Sequence, residues 1–187
     1  MKTLKLISAL FVLTFFISCS DDDENTTPVD QDSLIGTWEM TGLNADIDFS
    51  GNIEGISFTS ETNTVGENFD YIITFTETTY TASGSYDIVT NGTLNGVPID
   101  EDRQTISDAN ESGTYSVQDG ELVIDGELVD LESINSDLEG ASVDGTFESF
   151  IDGNGNLVIE QVQDLQINEG GIPLDIDVDS RIVFRKQ

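Results

Sequence analysis

The sequence has no histidine, one cysteine at position 19, three prolines, and only six Lys and Arg residues against 37 Asp and Glu in 187 residues. Without imidazole or a second thiol, the chain has no Ser-His-Asp or Cys-His catalytic set and no internal disulfide. Zinc or copper sites built on those ligands are excluded as well. Any chemistry must rest on carboxylates, hydroxyls or aromatic rings. Cations are also scarce. All 37 acidic residues follow Cys19, while Lys2 and Lys5 precede it, so only Arg103, Arg181, Arg185 and Lys186 oppose them and the remainder carries −33. A field of that sign repels phosphate backbones and excludes nucleic acid as a partner. The chain further lacks the run of about 20 apolar residues that a membrane-spanning helix needs. Its longest apolar stretch, Leu6 to Ile17, covers only 12 positions.

That stretch follows Lys2 and Lys5 and ends at the small residue Ser18, the layout of a secretory signal. Phe16-Ile17-Ser18-Cys19 resembles the lipobox of bacterial lipoproteins, with Phe16 in place of the usual Leu. The resemblance implies cleavage after residue 18 and acylation of Cys19, which becomes the first residue of a mature chain. Several acyl chains on one residue give stable anchoring where a single chain is marginal. Ser20-Asp21-Asp22-Asp23-Glu24 resembles the acidic export signal of surface-exposed lipoproteins of the Bacteroidetes group. It implies an outer-membrane lipoprotein, with the cell surface favoured over a periplasm-facing location. Asn25 to Asp32 continue as a polar linker too poor in apolar residues to pack. The expected organisation is a signal peptide at 1–18, a lipidated acidic tether at 19–32 and one globular domain at 33–187. Asp32-Ser33-Leu34 also resembles that group's O-glycosylation site, with Ser33 as acceptor.

Beyond the linker, apolar residues recur with period two, the mark of half-buried strands. Leu34, Gly36, Trp38 and Met40 share one parity, as do Phe69, Tyr71, Ile73 and Phe75, and Tyr115 with Val117. Leu122 pairs with Ile124, and Val143 with Phe147 and Ile151. At the C-terminus Leu174, Ile176, Val178, Ile182 and Phe184 keep one parity, while Asp175, Asp177, Asp179, Arg181 and Arg185 keep the other. Asp119-Gly120 and the run Asp152-Gly153-Asn154-Gly155-Asn156 are hairpin signals. Only Leu128, Leu131, Ile134 and Leu138 have helical spacing, so at most one short helix is expected there. The predicted class is all-β, an antiparallel arrangement of roughly eight to ten strands, either a closed barrel or a sandwich.

Gly36-Thr37-Trp38 opening the first strand resembles the lipocalin signature. Gly113-Thr114-Tyr115-Ser116-Val117 and the closing Ile182-Val183-Phe184-Arg185-Lys186 fit the lipocalin-like domains of Bacteroidetes lipoproteins. The resemblance implies an up-and-down barrel with Trp38 across its floor and Arg181 or Arg185 lying over the indole through a cation–π contact. No Thr-Asp-Tyr motif accompanies it, which points to a looser relative of the family.

Trp38, Tyr71, Phe75 and Tyr86 are the candidate ligand-binding side chains, set against the competing role of filling the core. The expected partner is a small apolar or amphipathic molecule, with no cofactor, no metal and no catalysis. The alternative is a β-sandwich surface module binding glycan or protein. Asp175, Asp177 and Asp179 stand about 7 Å apart on one strand face, too far to share a cation alone. The Asp152 turn resembles the start of an EF-hand loop, but Leu157 and Gln163 occupy its obligatory Gly and Glu positions, so calcium is not expected. Paired carboxylates also suit glycoside hydrolysis, yet 37 acids bring two together in almost any fold.

Overall fold

A computed structural model describes residues 26–53, 55–126, 128, 145–169 and 172–187. The signal peptide, Cys19, most of the acidic tether, Leu131 to Leu138 and Val143 lie outside the described residues. The chain forms β1 (Thr27–Pro28), a short helix α1 (Gln31–Leu34), β2 (Gly36–Ile53), β3 (Ile56–Phe75) and β4 (Thr79–Leu94). It continues with β5 (Val97–Gln118), β6 (Glu121–Asp125), β7 (Thr146–Ile151), β8 (Asn156–Glu169) and β9 (Ile172–Lys186).

Strands β2 to β9 pair antiparallel in sequence order. The ring closes where β2 meets β9, so eight strands make an up-and-down barrel. One continuous sheet is present, not the two facing sheets of a sandwich. Closure removes the hydrogen-bonding edges of an open sheet at the end where β6 pairs with Thr114–Gln118 of β5 and β7 pairs with Leu157–Glu160 of β8. Asn95-Gly96 and Asp119-Gly120 both place two successive residues at positive φ, the requirement of a type I′ two-residue turn. The same Asn-Gly chemistry that joins β4 to β5 is legible in the sequence. At the β7–β8 turn, the Asp152 carboxylate accepts from the Asn154 and Asn156 backbone amides at 2.8 and 2.9 Å and from the Asn156 side chain at 3.0 Å. Burial raises its pKa, but these bonds outweigh it and leave the carboxyl below its ordinary value. A hairpin turn is therefore what its oxygens serve.

The ring is uneven. β6 has 5 residues and β7 has 6, against 18 for β2, 20 for β3 and 22 for β5. β6 and β7 meet their neighbours only near the end where β2 begins, which we call the floor. At roughly 3.3 Å per residue, β2 is about 60 Å long, so the β2–β3 and β4–β5 turns form a distant tip.

Strict alternation does not run through β2. Trp38 and Met40 are buried, Thr41 is exposed, and burial resumes on the other parity at Leu43, Ala45, Ile47 and Phe49. The β2–β9 register shifts between Met40 and Gly42, so an extra residue there re-aims the strand while keeping its apolar side inward. A second irregularity separates Glu67 from Asp70 around Asn68 at φ 52. Next to it Gly84, the register partner of Tyr71, has φ 134 and lies so close to β3 that a Cβ would meet the Asp70 carbonyl oxygen at 1.9 Å, leaving room only for glycine.

The core is layered. Trp38, Tyr71, Phe75, Tyr80, Tyr86, Tyr115 and Phe184 fill the floor half, all at 5% exposure or less. Above them, one register row crosses five strands with small or polar side chains: Gln161, Ser180, Ala45, Thr64 and Thr90. Thr64 and Thr90 satisfy one another at 3.0 Å between their hydroxyl oxygens. Beyond this row the buried inner wall is apolar again, with Ile47, Phe49, Ile176 and Val178.

The stretch expected to remain a polar linker as far as Asp32 is docked in part. Thr27 and Pro28 pair with Ile151 and Phe150, and Val29 is 4% exposed. One apolar side chain suffices because polar groups do the rest. Asp30 caps α1 and accepts from the Ser33 amide at 2.7 Å, while Ser33 Oγ accepts from the Asp30 amide at 3.0 Å. Gln31 donates to the Glu77 carbonyl at 2.6 Å and accepts from the Val117 amide at 3.1 Å. The helix thus ties the β3–β4 turn to the end of β5 across the floor.

Candidate functional site

The four aromatic candidates sit within one core. Tyr71 and Tyr86 meet edge to face at 5.4 Å between ring centroids, and Phe75 meets Tyr115 at 4.9 Å and Tyr80 at 6.2 Å. Trp38 donates from Nε1 to the Leu34 carbonyl at 2.7 Å, and the Tyr71 hydroxyl donates to the Leu128 carbonyl at 2.7 Å. All four are at most 1% exposed. In interiors packed like organic crystals, a ligand reaches such side chains only by displacing their neighbours.

The cation over Trp38 is neither Arg181 nor Arg185. Lys186 is the direct register partner of Trp38, and its Nζ lies 5.0 Å from the indole centroid. The two arginines have the outward parity of β9. Arg185 pairs with Glu39 at 2.6 Å, and Arg181 pairs with Glu160 while lying 5.8 Å from the Phe150 centroid. Lys186 also donates to the Ser33 carbonyl at 3.2 Å, which ties the end of the last strand to α1. Ser33, the residue within the glycosylation-like triplet, has its hydroxyl engaged in the helix cap.

Outside the barrel, carboxylates stand in rows that sequence spacing alone does not reveal. Register aligns Glu61, Asp48, Asp177 and Asp164 across β3, β2, β9 and β8. Asp179 faces Asp46 in the next row, and Asp175 accepts from the Gln166 side chain at 2.7 Å. Like charges directly opposite across strands repel. Asp177 responds with a pKa above the ordinary carboxylate value, through partial desolvation, a hydrogen bond with Asp164, and the charges of Asp164, Asp48 and Asp175. Asp46 is better served, since Asn44 and Asn63 donate to its two oxygens at 3.3 and 2.7 Å. A trough of about 440 Å³ runs beside this row, lined by Asp46, Asp48, Glu61, Asn63, Asn91 and Thr93 among others.

Among the described residues, no group of three or more acidic side chains is arranged to hold a metal ion. Arg103 pairs with Glu67 at 2.9 Å and lies 3.9 Å from Asp87. Asp87 also accepts from Thr105 and Asn68, which hold its pKa low ahead of the Arg103 charge. All four basic residues of the barrel are thus committed, and among the described residues most carboxylates have no cation beside them. Comparison with family models, curated proteins and solved structures finds no match for the chain.

Proposed function

We propose that the protein is a lipid-anchored, non-enzymatic barrel module of the outer envelope, related in style to lipocalin-like lipoproteins and displayed at the cell surface. Its anchor is the acylated Cys19. The observation that carries the reading is where the chain enters the barrel. Thr27, Pro28 and α1 lie against the floor, so the few residues between Cys19 and Thr27, at most about 3.5 Å each, hold the floor beside the membrane. The long strands then carry the tip outward. Dense surface carboxylates keep such a body soluble and away from anionic lipid. Gly36-Thr37-Trp38 on the first ring strand, with a last-strand cation over the indole, supports the lipocalin-like comparison. The apolar inner wall of Ile47, Phe49, Ile176 and Val178 is the surface this reading offers to a small apolar or amphipathic ligand.

Catalysis is left out because the chain supplies no imidazole and no thiol beyond Cys19, and the acid rows lie on an open outer face. Fractionation of cells making the wild type and Cys19→Ala tests the anchor. The wild type should pellet with outer membranes and be cut by protease added to intact cells, and the variant should leave the outer-membrane fraction. Equal outer-membrane association of both proteins would refute the anchor. Protection of the wild type from external protease would place it facing the periplasm.

A further inference from the structure

Five of the large apolar side chains with substantial exposure gather at the tip: Ile53 at 46%, Ile56 at 74%, Leu94 at 49%, Val97 at 65% and Ile99 at 49%. They come from two neighbouring hairpins. Ile53 pairs with Ile56 and Leu94 with Val97, while Leu94 also faces Ser60 of β3. All have the inward parity of their strands, so they continue the inner wall past its enclosed part. Gly51 lets the Phe58 ring and Leu174 approach one another over the β2 backbone, since a Cβ there would meet both at 2.7 to 2.8 Å. Ile56 lies four residues beyond the Leu94 level, about 13 Å along the strand, and four strands span about 14 Å across. That is a patch the length of two to three helical turns.

Exposed apolar surface gathered at one place marks an interaction site. Its surroundings select the partner. Asp100, Glu101 and Asp102 follow Ile99 directly, and all three are exposed. Arg103, the nearest basic residue along β5, is committed to Glu67. A second copy would bring its own −33 field against this one, and anionic lipid would be repelled likewise. We infer that the tip docks a cationic amphipathic polypeptide segment, its apolar face on Ile56, Val97 and Leu94 and its Lys or Arg side chains toward the flanking carboxylates. Helix-on-groove recognition of this kind reads an apolar stripe for affinity and charge for orientation and encounter rate. The inference stands whether or not Cys19 is acylated.

The test uses the chain from residue 19 onward with Cys19→Ala, which retains every described residue and carries no acyl group. The probe is a fluorescent 14-residue Leu/Lys amphipathic peptide, with a Leu→Ser version of equal charge for comparison. The wild-type surface should bind the Leu/Lys peptide at least tenfold more tightly than the Leu→Ser peptide. Ile56→Ser with Val97→Ser should abolish that preference. Val162→Ser, which changes a 77% exposed valine on β8 away from the tip, should leave it intact. Unchanged binding by the double variant, or equal loss in Val162→Ser, would overturn the proposal in favour of charge or general stickiness. So would failure to bind the Leu/Lys peptide. Sedimentation showing a dimer that the double variant dissolves would assign the tip to a second copy, and binding to zwitterionic vesicles would assign it to lipid. Either result overturns the proposal.

Discussion

Replacing Trp38 probes the barrel floor, because its contributions separate by chemistry. An indole buries up to about 250 Å². At about 25 cal/mol per Å² that gives roughly 6 kcal/mol as an upper bound, reduced because the unfolded chain already hides part of the surface. Trp38→Ala should therefore cost about 3 to 5 kcal/mol, or roughly 6 to 20 °C in melting temperature for a domain of this size. Trp38→Phe keeps most of the apolar area but strands the Leu34 carbonyl that accepts from Nε1 at 2.7 Å. An unmet buried acceptor costs about 1 to 3 kcal/mol, so Phe should fall between wild type and Ala. Lys186→Met keeps the apolar stem over the ring and removes the charge at 5.0 Å. An exposed cation–π contact is worth about 0.5 to 1 kcal/mol, so this variant should be the mildest. Urea unfolding with an unchanged denaturant slope reads all three. A loss below about 1 kcal/mol for Trp38→Ala would place the indole at the surface and refute the reasoning.

Three further outcomes follow from particular contacts. The raised pKa of Asp177 means that its folded form holds its proton more tightly than the unfolded chain, so its stabilising contribution is complete below the unfolded value near 4 and is lost as pH rises through the higher folded value. Asp177→Asn should therefore be more stable than wild type at pH 7 and lose that advantage near pH 3.5 in parallel thermal melts; a variant less stable at pH 7 would contradict the repulsive row. Gly84→Ala forces a Cβ to 1.9 Å from the Asp70 oxygen, and should cost more than about 2 kcal/mol, whereas a near-neutral result in denaturant would deny the close approach. Tyr71→Phe removes the donor to the Leu128 carbonyl and should cost about 1 to 2 kcal/mol by the same assay, with no change meaning that water reaches that carbonyl.

The strand class and the inward residues of β9 were legible because period two survives from Leu174 to Phe184 without interruption. In β2 the pattern breaks at Thr41, where one extra residue moves burial from even to odd positions, and propensity gives no warning of a bulge. The floor indole was identifiable from its strand and neighbours, but its cation depended on register: Lys186 faces Trp38 because β2 and β9 align there, while Arg181 and Arg185 share the outward parity that alternation had already assigned to them. Docking of residues 27 to 32 escaped because it rests on backbone pairing, a capping box and a single buried valine, too little apolar surface to stand out in a polar segment. The acid row uniting Glu61, Asp48, Asp177 and Asp164 is a cross-strand object whose members lie up to 129 positions apart in the chain. The tip patch was invisible because the apolar character of Ile53, Ile56, Leu94, Val97 and Ile99 does not say whether neighbouring strands cover them, and the short β6 and β7 do not.

The anchored barrel is tested most directly by the intact mass of the protein isolated from membranes. The account predicts a chain beginning at Cys19, heavier than residues 19–187 by a diacylglyceryl group and an amide-linked acyl chain. An unmodified chain, or one that still begins at Met1, would contradict it.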